Sequence, residues 1–209
     1  TQLGVSTLAE LRAKSWQDII TAALAQGSGY RSFMTVDGWS LLDTGDHIYR
    51  GGLQSDVPFM IGMTEADIPP LFTGTQELVA TMKSKSKTYV YLFTHVPSGW
   101  KSKGVKAGHG FDVAYLFHHL ELLPIFLGRS VPSSAGPDPG FDEKDEYVAD
   151  AVMALWVQFA KTGNPSIEGL ITWPPYEYVI DQYLKIDYPL EVLSGFSKLK
   201  QLSNKLPIK

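Results

Sequence analysis

"VPFMIGMTEADIPP" (Val57–Pro70) decides how the chain reads. Its first six residues are apolar without a break, the pattern of a short strand covered on both faces of a sheet. Its end changes character: Glu65 and Asp67 follow at once, and Ile68-Pro69-Pro70 closes the stretch. A strand that delivers carboxylates beyond its carboxyl end is the arrangement of an α/β protein, where chemistry collects at that end of the sheet.

Working outward, "KTYVYLFTHVP" (Lys87–Pro97) is the strongest strand signal, β-branched and aromatic, stopped by Pro97. "LFTGTQELVATMKSKS", between the two strands, is expected to be helical. "DEKDEYVADAVMALWVQFAKTGNP" is the clearest helix. Val148, Val152, Leu155, Trp156 and Phe159 recur at helical spacing, acids crowd its start, and Lys161 and Gly163 mark its end. "VAYLFHHLELLPIFLG" is expected to be partly helical, and "SVPSSAGPDPGFD" a loop. Upstream, "TLAE" (Thr7–Glu10) fits a capping box and "SWQD" (Ser15–Asp18) a looser one, so two short helices open the sequence. "SFMTVDGWSLL" reads as extended with a turn at Asp37-Gly38, and "DTGDHIYRGG" as a loop and a short helix. The tail reads as short extended pieces and a last polar helix. Helix and strand alternate, which predicts α/β architecture.

Composition narrows the function. The 209 residues carry a net charge of -4, and the sequence pI is about 5.7. That argues against a nucleic-acid surface, which needs a basic patch. "KSKSK" (Lys83–Lys87) reads as a solvated loop or helix end. There is no cysteine, so disulfides, thiolate metal sites and a cysteine nucleophile are excluded. No run of about 18 apolar residues suggests a membrane span. "TQLGVSTLAELRAKS" lacks the apolar centre of a signal peptide, and the compartment stays unassigned.

Five histidines are present: His47, His95, His109, His118 and His119. None forms an HExxH pair, and neither a phosphate-cradling glycine loop nor a metal site is expected. His47 and His95 read as surface or loop-packing residues. His109 differs. It sits between Gly108 and Gly110 after the best strand, where the backbone can turn tightly. An imidazole accepts and returns a proton near neutral pH. Glu65 or Asp67, after the other strand, is placed to orient it. Acid first and histidine second is the tail order of an α/β-hydrolase triad. The earlier members, a G-x-S-x-G serine and an HGGG-type oxyanion loop, do not occur in this sequence.

These stretches, taken in order, carry a resemblance. "VDGWSLLDTGDHIYRGGLQSDVPFMIGMTEAD", "VYLFTHVP", "AGHGFDVAYLF", "LWVQFAKTGNPS" and "WPPY" together resemble the C-terminal part of type-B carboxylesterases and cholinesterase-like proteins. The resemblance implies the C-terminal half of one α/β-hydrolase domain over residues 1–209, with a mostly parallel sheet. It implies a serine carboxylic-ester hydrolase in which His109 is the triad base. The family's acid is commonly Glu, five residues after the glycine that ends the strand, which falls on Asp67; Glu65 is the alternative. Asp112 matches an acidic position after the histidine and is expected to be a loop or cap acid.

Serine and oxyanion loop are then expected in an N-terminal half, as a partner chain or a missing part. The substrate is expected to be a small carboxylic ester, with no metal and no organic cofactor. The family usually inserts a helical stretch of tens of residues after the acid, where this sequence has only "IPP". A different outcome, a catalytically inactive binding or adhesion module, is the alternative function. Phe72, Trp100 and Phe111 are expected either in a pocket or in core and loop packing.

Overall fold

A computed structural model of the chain describes residues 3–25, 34–83, 85–126, 131 and 135–202. The chain divides into two compact units, Thr1–Thr44 and Gly45–Lys209.

In the first unit, α1 (Leu8–Arg12) starts with the expected capping box: Thr7 accepts from Glu10 N, and the Glu10 side chain reaches back to Thr7 N. At the start of α2 (Trp16–Leu24) the Ser15 hydroxyl accepts from Asp18 N, one half of such a box. The extended reading of "SFMTVDGWSLL" does not hold for its described residues. From Met34 to Leu42 no strand forms. Asp37 Oδ1 instead accepts the backbone N–H groups of Trp39, Ser40 and Leu41, at 2.9, 2.8 and 3.0 Å. A short carboxylate that gathers its own backbone competes directly with strand pairing.

The second unit is a four-stranded sheet between helices. The strands are β1 (Phe59–Thr64), β2 (Thr88–Phe93), β3 (Gln182–Ile186) and β4 (Glu191–Ser194), in the order β1-β2-β3-β4. The first three are mutually parallel and β4 is antiparallel to β3. Helix α3 (Gly45–Gly51) precedes β1, and α4 (Pro69–Thr81) crosses from β1 to β2. Between β2 and β3 come α5 (Ser98–Lys101), α6 (Phe111–Leu116), α7 (Leu123–Phe126) and α8 (Glu143–Thr162). The last polar helix of the tail reduces, among the described residues, to a 3-10 turn at Phe196–Lys198.

Strand alternation builds two cores. Tyr89 and Phe93 of β2 point to one face, with Leu184 and Ile186 of β3. There they pack with Trp100, Phe111, Tyr115, Val148, Val152 and Leu155. Val90 and Leu92 point to the other, against Phe72 and Val79 of α4 and Phe196. Burying each such side chain stabilises the fold by about 1.5–3 kcal/mol. Phe72, Trp100 and Phe111 are all 2% exposed or less, so they are core residues. The expectation of a strand covered on both faces, made for Val57–Gly62, is met only in part: the first four residues of β1 are half-buried, whereas β2 is buried almost throughout. β1 pairs along one edge alone among the described strands, which explains the difference.

Helix α8 follows its sequence signals. Asp142 and Asp145 form a reciprocal capping box at its start, and Gly163 ends it in the left-handed region at φ 70°. Its approach to α5 is a backbone contact. Gly99 N donates to Gly140 O at 3.4 Å and Trp100 N to Pro139 O at 3.1 Å. A Cβ on Gly99 would lie 2.6 Å from Pro139 O.

Candidate active site

The carboxyl ends of β1 and β2 lead into two segments that the backbone laces together. Glu65 N donates to Phe93 O, and Ala66 N to Ala107 O at 2.9 Å. Ala66 and Gly108 form a parallel bridge. The segment after β1 is thereby pinned beside the one carrying His109.

Asp67 is held by its own main chain. Its Oδ1 accepts Ile68 N–H at 2.7 Å, and its Oδ2 accepts Thr64 N–H at 3.3 Å. Gln201 Nε2 donates to its carbonyl. Ile68 is the N-cap of α4, with Pro69 just inside. The short "IPP" link therefore runs from the acid straight into the crossover helix.

His109 sits in a tight turn closed by Phe111 N donating to Gly108 O at 3.1 Å. Gly110, at φ 86° and ψ 0°, fits the third position of a type II turn, which a side chain disfavours. Helix α6 starts at the next residue. The turn aims the imidazole at β1: His109 Nδ1 lies 2.8 Å from Asp67 Oδ1. Asp67 is 9% exposed at its side chain and His109 54%. A buried carboxylate on Nδ1 favours the tautomer with its proton there, which leaves Nε2 with its lone pair. Among the described residues no hydrogen bond occupies Nε2.

Glu65 points elsewhere. Its Oε1 accepts Ala107 N–H at 3.3 Å, and burial pushes its carboxyl above the usual range despite that bond and Lys106 nearby. Of the two acids after β1, Asp67 is the one in contact with His109. Asp112, in the first turn of α6, accepts from Tyr91 Oη at 3.1 Å. Burial raises both the Asp112 carboxyl and the Tyr91 hydroxyl. The Tyr91 ring lies over Gly62, its partner in register on β1. Beside His109 is a hollow of about 450 Å³, lined mainly by Val113, Ala114, Phe117 and Leu122. Val113 and Phe117 are exposed there.

The sequence reading of His95 as a surface or loop-packing residue is corrected. It is 3% exposed, with Asp145 and Asp187 against its two ring nitrogens. One signal was available. Asp145 lies three, four and seven residues before Val148, Ala149 and Val152, on the buried stripe of α8, and an acid on that stripe needs a buried partner. Among the described residues no group of three or more His, Asp or Glu is arranged to hold a metal ion, and no helix is long and apolar enough to cross a membrane.

The mostly parallel sheet flanked by helices is that of an α/β-hydrolase fold, as its superposition on carboxylesterases shows. A family model described as "Carboxylesterase family" matches residues 70–204, a stretch that contains His109 and starts just after Asp67. The chain belongs to that family.

Among solved structures, the carboxylesterase EST55 of Geobacillus stearothermophilus superimposes with a TM-score of 0.68 at 18% identity, over 92% of this chain and 49% of that one. A PNB esterase gives 0.63 at 15% identity, over 92% and 49%. Among curated relatives, the medium-chain fatty acyl-CoA hydrolase precursor of Anas platyrhynchos is 29% identical over 144 residues, 66% of this chain and 23% of that protein. The pyrethroid hydrolase Ces2a of Mus musculus is 31% identical over 140 residues, 65% and 21%. This chain thus spans under a quarter of these relatives and about half of the solved structures it matches.

Proposed function

We propose that this chain is the C-terminal half of a serine carboxylic-ester hydrolase. It supplies the acid and base of a triad whose serine, in a G-x-S-x-G turn, lies in an N-terminal half. The observation that carries the reading is the 2.8 Å contact between Asp67 and His109, with the imidazole half-exposed.

In this reading His109 Nε2 accepts the serine proton as the hydroxyl attacks the ester carbonyl. Asp67 keeps the Nδ1 proton in place and stabilises the imidazolium that forms. Backbone N–H groups of the N-terminal half hold the oxyanion. His109 then returns its proton to the departing alcohol. Water repeats the sequence on the acyl-enzyme, releasing the acid and regenerating serine. The apolar hollow of Val113, Phe117 and Leu122 receives an apolar part of the ester. The relatives' names span a fatty acyl-CoA and a pyrethroid, which supports a carboxylic ester or thioester as the bond cleaved.

The test is made on the full-length protein with para-nitrophenyl esters and a fluorophosphonate label. Turnover together with labelling of a serine in the N-terminal half is expected. A folded protein that neither turns over esters nor takes the label overturns the reading in favour of a non-enzymatic binding module.

A further inference from the structure

The segment carrying His109 is held at both ends by one charged cluster. At its start, Lys101 Nζ donates to both oxygens of Asp187, at 3.3 and 3.2 Å. At its end, Tyr115 Oη donates to Asp145 Oδ1 at 2.6 Å. His95, beyond the end of β2, joins the two carboxylates. Its Nδ1 is 3.0 Å from Asp187 Oδ1 and its Nε2 3.0 Å from Asp145 Oδ1. The hydrogen-bonded series Lys101, Asp187, His95, Asp145, Tyr115 therefore closes the base of the loop on which His109 sits.

The charge on His95 follows from this arrangement. A neutral imidazole has one N–H and one lone pair. With a carboxylate oxygen at each nitrogen, a neutral ring would set its lone pair against an anion on one side. The imidazolium donates to both. Two carboxylates in a buried site also need a cation near them, since a buried charge left unpaired is costly. Asp145 is fully buried, and its other oxygen accepts Asp142 N–H at 2.8 Å.

The remaining charged and titratable neighbours come from the surrounding elements. Lys101 comes from α5, and Lys185 of β3 is 4.0 Å from Asp187 Oδ2. Tyr115 of α6 stands edge-on to the imidazole, with ring centroids 5.2 Å apart. Burial pulls the imidazole toward its neutral form, but its bonds to Asp145 and Asp187 outweigh this and raise its pKa.

We propose that His95 is a positioning residue for His109: an imidazolium that ties Asp187 to Asp145, fixes both ends of the Lys101–Tyr115 segment, and so holds the His109 ring against Asp67. Only the turnover readout of this proposal rests on the esterase reading.

The experiment uses the full-length protein, His95→Gln and, as a variant that removes the exposed end of the series and leaves His95, Asp145 and Asp187 in place, Lys101→Met. A nitrogen-15 pH titration of the wild type is expected to show both His95 ring nitrogens still protonated at a pH where a free imidazole has lost its proton; a His95 ring that is neutral where a free imidazole is charged overturns the proposal. For para-nitrophenyl acetate, His95→Gln is expected to lose about tenfold to a hundredfold in kcat, the scale of a misplaced catalytic group, with KM within about twofold. Lys101→Met loses less, in the same kcat-only pattern. A cooperative melt shows whether His95→Gln is folded; if it is not, Lys101→Met decides. Wild-type kcat in the folded variant overturns the proposal. Should the wild type hydrolyse no ester, the esterase reading fails separately. The downfield proton signal between His109 Nδ1 and Asp67 then decides: its loss in the folded variant supports the positioning role, and an unchanged signal overturns it.

Discussion

Asp67 Oδ1 accepts from two donors at once, Ile68 N–H at 2.7 Å and His109 Nδ1 at 2.8 Å. The carboxylate cannot swing away from the imidazole without giving up a main-chain hydrogen bond. The helix that begins at Pro69 thus fixes the acid, and the acid fixes the histidine.

Asp67→Asn tests the consequence. An amide in this position has one acceptor oxygen, so either Thr64 N–H or the Ile68 and His109 side of the group meets an NH2. The imidazole loses its tautomer preference while the fold survives. By triad precedent kcat falls by about 10⁴, and His109→Ala costs about 10³ or more. Steady-state kinetics on the full-length protein check both values.

Glu65→Gln separates the two acids after β1. A glutamine oxygen still accepts Ala107 N–H, so the lacing beside His109 is kept. Activity is expected within about threefold of wild type, as for a residue outside the triad. A loss comparable to that of Asp67→Asn would assign the acid's role to Glu65.

Gly62→Ala tests the packing under the site. A Cβ there would lie 2.3 Å from the Tyr91 ring. Either β1 shifts or the ring does, and with the ring goes its bond to Asp112. Overpacking of this kind costs about 1–3 kcal/mol, read as a lower urea midpoint with an unchanged slope.

The buried ion cluster predicts how stability depends on pH. His95 titrates above its ordinary value in the folded chain, because its bonds to Asp145 and Asp187 outweigh burial. It binds a proton more tightly folded than unfolded. Its contribution is therefore full below about pH 6.5 and is lost as pH rises through the raised value. Asp187 has the opposite sign. Burial raises its carboxyl, but His95, Tyr188 N–H and Lys101 more than offset this and hold it well below the usual carboxylate range. That contribution is full above about pH 4 and disappears in acid. Thermal melts across pH should show losses on both sides. In Asp187→Asn the acid-side loss shrinks, and so does the alkaline loss, because His95 keeps only one anionic partner.

What was legible in the sequence was what local chemistry dictates. The capping box at Thr7, the acids at the start of α8 and the glycine at its end, and the β-branched and aromatic run of β2 each determine structure within a few residues. A strand end and a glycine turn pointed to an acid after β1 and to His109, but those signals alone did not choose between Glu65 and Asp67; the contact with His109 is made by Asp67. His95 was not legible. Its partners are 50 and 92 residues away, and a histidine at the end of a strand, two residues before a proline, looks like any loop residue until those acids are brought to it. Around Asp37 the expected turn at Asp37-Gly38 is present, while the expected strand is not, because one carboxylate draws in three N–H groups. β3 and β4 carry weak local patterns, and pairing to β2 gives β3 its buried setting.

The Gly99–Gly140 crossing has a consequence for how this protein's relatives are compared. Neither position admits a side chain: a Cβ on Gly99 would strike Pro139 O, and one on Gly140 would lie 2.8 Å from Gly99 Cα. Gly140 also holds φ at 65°. Wherever descent has preserved this crossing, both positions will stay glycine under purifying selection, as invariant as a nucleophile. Invariance at this pair would record only that two backbones touch, and a search for active sites by conservation alone would be drawn to a place where no chemistry occurs.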